Sequence, residues 1–224
     1  MKLQGSTRLK RGLFIVLEGP DGSGKTTQAH LLAERLSSDG YPSIATEEPG
    51  GTETGRYIRE IILNPSIHVS PKTELFLFLA DRAEHVQRVI KPALDEGKIV
   101  VCSRYIYSTL VYQGLVRKVA PTEFLLNMNK YATNELVPDI VFYIDVDPEK
   151  TLFKAKEDSS ITRNYPGGDR IEKEGPGFQQ MVRKGYQQIA DLSKGLFITI
   201  DGNRSIEEVS ENLYTLVKRR LKND

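Results

Sequence analysis

The chain of 224 residues carries 31 Lys and Arg against 30 Asp and Glu, a formal net charge of +1. That length suits one α/β domain over residues 1–224, and the balanced charge excludes a global field for nucleic acid or an anionic membrane, so any anion site is local. One cysteine, Cys102, excludes an intrachain disulfide and reads as a buried strand thiol, while His30, His68 and His85 lack the paired spacing of a zinc site.

Residues 1–11 are basic without an apolar run of signal-peptide length, and no stretch approaches a membrane span; a flexible N-terminal segment on a cytoplasmic protein is the expectation. Residues 13–17 are all apolar and read as a buried parallel strand. Gly19-Pro20-Asp21-Gly22-Ser23-Gly24-Lys25-Thr26 then fits the phosphate-binding pattern G-x-x-x-x-G-K-[ST] at every fixed position, and Ala29, Leu32, Ala33 and Leu36 follow at helical spacing. Strand, loop and helix in this order form a concave surface of backbone N–H groups for phosphate oxygens. Lys25 is placed to reach the β and γ phosphates of a nucleotide and Thr26 to ligate Mg²⁺; Thr27 extends the loop contacts.

Beyond Gly40 a second strand over 41–46 runs into the Pro49-Gly50-Gly51 loop, and a short helix over 54–63 ends at Asn64-Pro65. A longer helix starts at Ser70-Pro71 and extends toward Gly97, kinked or divided near Ile90 by Pro92. Residues 98–102 form a third strand that delivers Ser103, Arg104 and Tyr105 to the ligand-binding edge of the sheet. Helices over 107–115 and 121–134 precede a fourth strand over 139–144 and a helix starting at Asp147-Pro148. Turn residues and weak periodicity over 157–168 suggest a mobile lid, taken as about 154–172. A helix over 172–193, a fifth strand over 196–200 and a last helix opened by the Ser205/Glu208 capping box complete the chain. The expectation is an α/β fold with a five-stranded parallel sheet, helices on both faces and a lid.

A phosphate loop alone is shared by kinases, GTPases, motors and ligases, so the second substrate has to be read from other residues. Arg82, Arg104 and Arg163 lie on three separate segments. Two fixed arginines suit bidentate binding of an acceptor phosphate, and a third on the lid suits closure over the transferred group. The residues Glu18 to Gln28, Glu48-Pro49-Gly50-Gly51-Thr52, Phe78-Leu79-Ala80-Asp81-Arg82, Arg104-Tyr105 with Ser108 and Tyr112-Gln113-Gly114, and Asp169-Arg170-Ile171-Glu172 together resemble the thymidylate kinase family, from Phe14 to nearly the end of the chain.

The resemblance implies a P-loop kinase fold and Mg²⁺-dependent transfer of the ATP γ-phosphoryl group to dTMP, in a homodimer. It further implies that Phe78 stacks on thymine, Arg82 contacts the base or acceptor phosphate, and Arg104 clamps that phosphate. Tyr112 would lie beside sugar and base, Asp21 near the ribose and Thr109 at the thymine edge. Catalytic charge is then expected from Lys25, Arg104 and Arg163, with Lys154, Lys156 and Arg170 as helpers. Three positions depart from the pattern. Ser103 stands where the family usually has an Asp that supports Mg²⁺, which predicts weaker Mg²⁺ binding unless Asp21 or Glu18 compensates. Glu47 stands where many relatives have Arg, removing one anion contact, and the lid has fewer arginines. A kinase for dUMP or UMP and a binding protein without efficient turnover are the competing readings; a GTPase is disfavoured because Asn129-Lys130-Tyr131-Ala132 lacks the aspartate of a guanine-reading motif.

Overall fold

The computed structural model describes residues 11–148, 168–193 and 195–223. Five parallel strands form one sheet in the order β2-β3-β1-β4-β5: β1 Leu13–Glu18, β2 Ser43–Glu47, β3 Ile99–Ser103, β4 Ile140–Asp145 and β5 Phe197–Asp201. β1 lies at the centre, paired with β3 through Leu13–Ile99 to Leu17–Ser103 and with β4 through Ile15–Ile140 to Glu18–Tyr143. All six of its residues are buried, as a strand covered on both faces requires.

The period-2 alternation of β1 splits its side chains between two cores. Leu13, Ile15 and Leu17 pack with Leu32 and Leu36 of α1 (Lys25–Ser38) and with Val209, Leu213 and Val217 of the C-terminal helix. Phe14 and Val16 meet the opposite layer, which includes Leu75, Ile90, Val111, Leu125, Val182 and Tyr186. The layers are built from α2 (Glu53–Leu63), α3 (Pro71–His85), α4 (Lys91–Asp95), α5 (Ile106–Thr109), α6 (Thr122–Ala132), α7 (Pro176–Leu192) and α8 (Ile206–Asn223). Among the described residues no helix is long and apolar enough to cross a membrane.

The long helix expected from Ser70 is divided where Pro92 requires it. After α3, residues Val86–Ile90 form a π-helical turn before α4, which accommodates a proline that has no N–H and whose ring crowds the preceding turn. Helix 106–116 is likewise α-helical for one turn and π-helical over Leu110–Val116, burying Leu110, Val111, Tyr112, Gln113 and Gly114 in succession. The single helix expected over 172–193 is instead a 3₁₀ turn, Glu172–Glu174, and α7. Gly175 separates them with φ 86°, a left-handed conformation that glycine adopts without cost, and Pro176 restarts the helix. The capping box at Ser205 and Glu208 forms as expected, with bonds of 3.0 and 3.2 Å. The helix expected from Asp147 beyond Pro148, most of the 154–172 lid, and Lys154, Lys156 and Arg163 lie outside the described residues.

Candidate active site

At the C-terminal ends of β1, β2 and β3 the chain encloses a cavity of about 390 Å³. The phosphate-binding loop forms its floor: Asp21, Gly22, Gly24, Lys25, Thr26 and Thr27 line it, while Gly19, Pro20 and Ser23 complete the turn without lining it. Gly24 is the N-cap of α1 at φ 81°, and no side chain caps that helix, so its first N–H groups face the cavity unclaimed by a cap. The Lys25 Nζ donates to the Pro20 carbonyl at 2.6 Å and lies 3.0 Å from the Ser23 hydroxyl. Burial, and then the Arg104 charge, lower the Lys25 ammonium well below its ordinary range despite Asp21 and Glu18 nearby.

Arg104 enters from the end of β3 with φ 71°, a left-handed backbone that costs a residue with a side chain on the order of 1–3 kcal/mol. Its N–H donates to the Leu17 carbonyl at 2.9 Å, which anchors the turn to β1. The guanidinium thereby reaches the Gly19 carbonyl and the Ser108 hydroxyl, each at 3.2 Å, and Asp21 at 2.5 Å, and lies over the Tyr112 ring. Burial by itself would raise the Asp21 carboxyl; Arg104, Lys25 and hydrogen bonds from Gln179 at 2.7 Å and Tyr112 at 3.2 Å hold it below its usual value. Beneath the loop, fully buried Glu18 accepts from the N–H groups of Tyr105 and Ser108 and from the hydroxyls of Ser108 and Tyr186. Its burial outweighs these bonds and Arg104, and the carboxyl is raised.

The opposite wall comes from α3 and α5. Phe78 is half-buried there, and Arg82 follows one helical turn later. Arg82 is almost wholly buried and commits four of its five N–H donors to the protein: Glu48 at 2.7 Å, Thr109 at 2.7 Å, Asn129 at 2.5 Å and the Tyr105 carbonyl at 2.9 Å. Asn129 is thus a buried residue of α6 and no part of a guanine-reading loop. Thr109 accepts from Arg82 and keeps its own hydroxyl proton for the cavity. Arg170 does not line the cavity; it is bonded to the Glu74 carboxylate and, at 2.7 Å, to the Ile62 carbonyl.

Asp81 stands next to Arg82 with no access to solvent. Its Oδ1 accepts from Gly50 at 3.0 Å and its Oδ2 has no partner. Burial and the neighbouring Glu48 push its carboxyl up to about 7. The folded protein therefore keeps a proton that the unfolded chain loses near pH 4, and this group's contribution makes stability fall as pH rises through that interval. Asp81→Asn keeps the acceptor for Gly50 and removes the titration. Urea midpoints of the native chain should fall relative to Asp81→Asn by the equivalent of about 2 kcal/mol between pH 5 and 7; parallel pH profiles would refute the assignment.

The last cluster joins α1, β2 and β3 at the loop's edge. The Thr26 hydroxyl lies 3.2 Å from Ser103 Oγ and 3.4 Å from Glu47 Oε2. Behind it, Cys102 is buried as expected beside Glu48 and His85, and burial raises its thiol well above its ordinary value. Sequence reasoning did not single out Gln179 or Tyr186, and weighed Asn129 only as part of a guanine-reading motif. Gln179 carried a signal: it shares the buried face of α7 with Val182 and Tyr186, and a polar side chain on an apolar face calls for a partner.

A family model described as thymidylate kinase matches residues 17–213. The thymidylate kinase of Halothermothrix orenii is 42% identical over 208 residues, covering 93% of this chain and 97% of that protein. That of Bacillus licheniformis is 39% identical over 212 residues, covering 94% and 97%, and that of Thermosipho africanus 41% identical over 209 residues, covering 93% and 99%.

Proposed function

The chain belongs to the thymidylate kinase family as an ATP-dependent nucleoside monophosphate kinase that phosphorylates dTMP, and from that premise we propose how its own residues divide the reaction. One cavity supports the reading: the phosphate loop with Lys25 on its floor and Phe78, Arg82, Thr109 and Tyr112 on its wall, with Arg104 between them. A donor nucleotide and an acceptor monophosphate entering from these two sides would meet at Arg104.

Phosphoryl transfer needs alignment and charge stabilisation more than covalent help. The N–H groups of residues 19–27 would hold the ATP phosphates, and the Lys25 ammonium would exchange the Pro20 carbonyl for phosphate oxygens. Phe78 would stack on thymine by dispersion, and the Thr109 hydroxyl would donate to the base edge. Tyr112 and Asp21 would border the sugar. Arg104, preoriented by its backbone, would pair with the acceptor phosphate and stabilise charge as the γ-phosphoryl group moves. Arg163 remains the proposed lid cation.

Mg²⁺ is the proposed metal, and the donors fit it: Thr26, Ser103 and Glu47 all offer hard oxygen atoms at the loop's edge. When bound, Mg²⁺ neutralises charge on the β and γ phosphates. A single kinase domain is supported by the one sheet with helices on both faces. Pairing into a homodimer is supported by exposed Phe76 on α3 and exposed Phe124 and Tyr131 on α6, which packs against it; sedimentation velocity checks it. Use of ATP and the free Cys102 thiol support a cytoplasmic location.

The deciding assay is ADP production from ATP and Mg²⁺ with dTMP, dUMP, UMP, CMP, AMP and GMP offered separately, beside a blank without acceptor. One methyl group is worth about 1–3 kcal/mol, so dTMP should exceed dUMP in kcat/KM by roughly 10- to 100-fold, with the blank silent. Equal turnover of dUMP or UMP would overturn the assignment of dTMP as the acceptor.

A further inference from the structure

We propose that Glu47 supplies the carboxylate of the divalent-cation site, acting with the hydroxyls of Thr26 and Ser103; the proposal rests on the kinase reading above. Glu47 ends β2 and Ser103 ends β3, and the two are in register on adjacent parallel strands, so their side chains emerge together at the cavity. Thr26, the second residue of α1, meets both.

The spacing suits a small hard cation. On an octahedron with metal–oxygen distances near 2.1 Å, neighbouring ligand oxygens lie about 3.0 Å apart. The Thr26 hydroxyl is 3.2 Å from the Ser103 hydroxyl and 3.4 Å from the Glu47 carboxylate, close to two such edges before any ion draws them together.

Charge singles out Glu47. Two hydroxyls bring none, and Glu18, Asp21 and Glu48 beside the loop are engaged, while Asp169, also on the cavity wall, accepts from the N–H groups of Ile171 and Glu172. Glu18 is buried under four hydrogen bonds. Asp21 is paired with Arg104 and bonded by Gln179 and Tyr112. Glu48 is bonded to Arg82 and His85. Neither Asp21 nor Glu18 is thus placed to offset the missing charge at Ser103. Among the described residues Glu47 meets only Thr26 and, at 3.5 Å, Arg59, with its side chain 36% exposed, lining the cavity. Arg59 is itself bonded more closely to the Pro49 carbonyl at 2.7 Å, which leaves the carboxylate weakly compensated. The charge lacking on β3 is therefore present one strand over.

The test is Mn²⁺ titrated into the protein–ADP complex, read as loss of the free-Mn²⁺ electron paramagnetic resonance signal, with ADP affinity in EDTA measured alongside. Glu47→Gln should weaken Mn²⁺ binding roughly 10- to 100-fold without weakening ADP binding in EDTA. The double variant Glu47→Gln/Ser103→Asp should recover most of the loss, which also shows that the fold is intact. Arg59→Gln should leave Mn²⁺ affinity within threefold or tighten it. Mn²⁺ affinity unchanged by Glu47→Gln, or lost equally in Arg59→Gln, would overturn the assignment while leaving the kinase reading in place. A native chain that binds ADP neither in EDTA nor with Mn²⁺ would overturn both.

Discussion

Arg104→Lys should lower kcat/KM for dTMP by about 10²- to 10³-fold, mostly in kcat, while the melting temperature moves by only a few degrees. A lysine preserves the charge but not the planar fork, and two charge-assisted bonds to a phosphate are worth about 3–4 kcal/mol together, at 1.36 kcal/mol per factor of ten. Because lysine is disfavoured at φ 71° as arginine is, the backbone strain is unchanged and the head group alone is tested. Arg104→Gly separates the two contributions in the opposite sense. It relieves the left-handed strain, so stability falls little, yet turnover is lost with the guanidinium. Retention of activity within threefold in Arg104→Lys would show that the fork makes no contact with the transferred group.

Arg82→Leu should cost about 3–5 kcal/mol of stability, lowering the melting temperature by roughly 10 °C, in addition to any loss of activity. The reason is its burial: removing the guanidinium leaves Glu48 as a buried charge with only His85 beside it, and strips Thr109, Asn129 and the Tyr105 carbonyl of their donor. Urea midpoints measure this directly. Arg82→Leu combined with Glu48→Gln should lose less than the two single variants summed, by at least about 1 kcal/mol, since the pair is in contact. An arginine held only by ligand would leave the midpoint of the free protein unmoved, and that result would refute the network role.

Local pattern carried much of the architecture. The loop is visible because its chemistry requires glycines, lysine and threonine at fixed spacing, and the strands around it because a doubly covered sheet needs unbroken apolar runs. Pro92 announced the division after α3, since a missing N–H is a local property. The break at Gly175 was legible too, because Gly175-Pro176-Gly177 is a local breaker signal, but the expected helix over 172–193 ran through it. What sequence could not show was pairing across distance. Gln179 reaches Asp21 over 158 positions and Tyr186 reaches Glu18 over 168, and no periodicity encodes such contacts. Glu47 is the sharpest case. In sequence it counted as the loss of a positive contact; the register of β2 against β3 turns it into a carboxylate beside Thr26. Arg170 changed meaning similarly, because Glu74, 96 positions earlier, holds it away from the cavity.

Helix 106–116 is pinned along its length. Ser108 is bonded to Glu18 beneath the loop, Thr109 to Arg82 on the acceptor wall, Tyr112 to Asp21 within the loop and Gln113 to Glu74 of α3. A short rod fastened at four points does not tilt at one end alone, so a displacement of Asp21 on nucleotide binding would be carried along it to Thr109 and Arg82. Donor and acceptor binding would then be coupled, and the coupling is reciprocal by linkage: whatever factor the first nucleotide imposes on the second, the second imposes on the first.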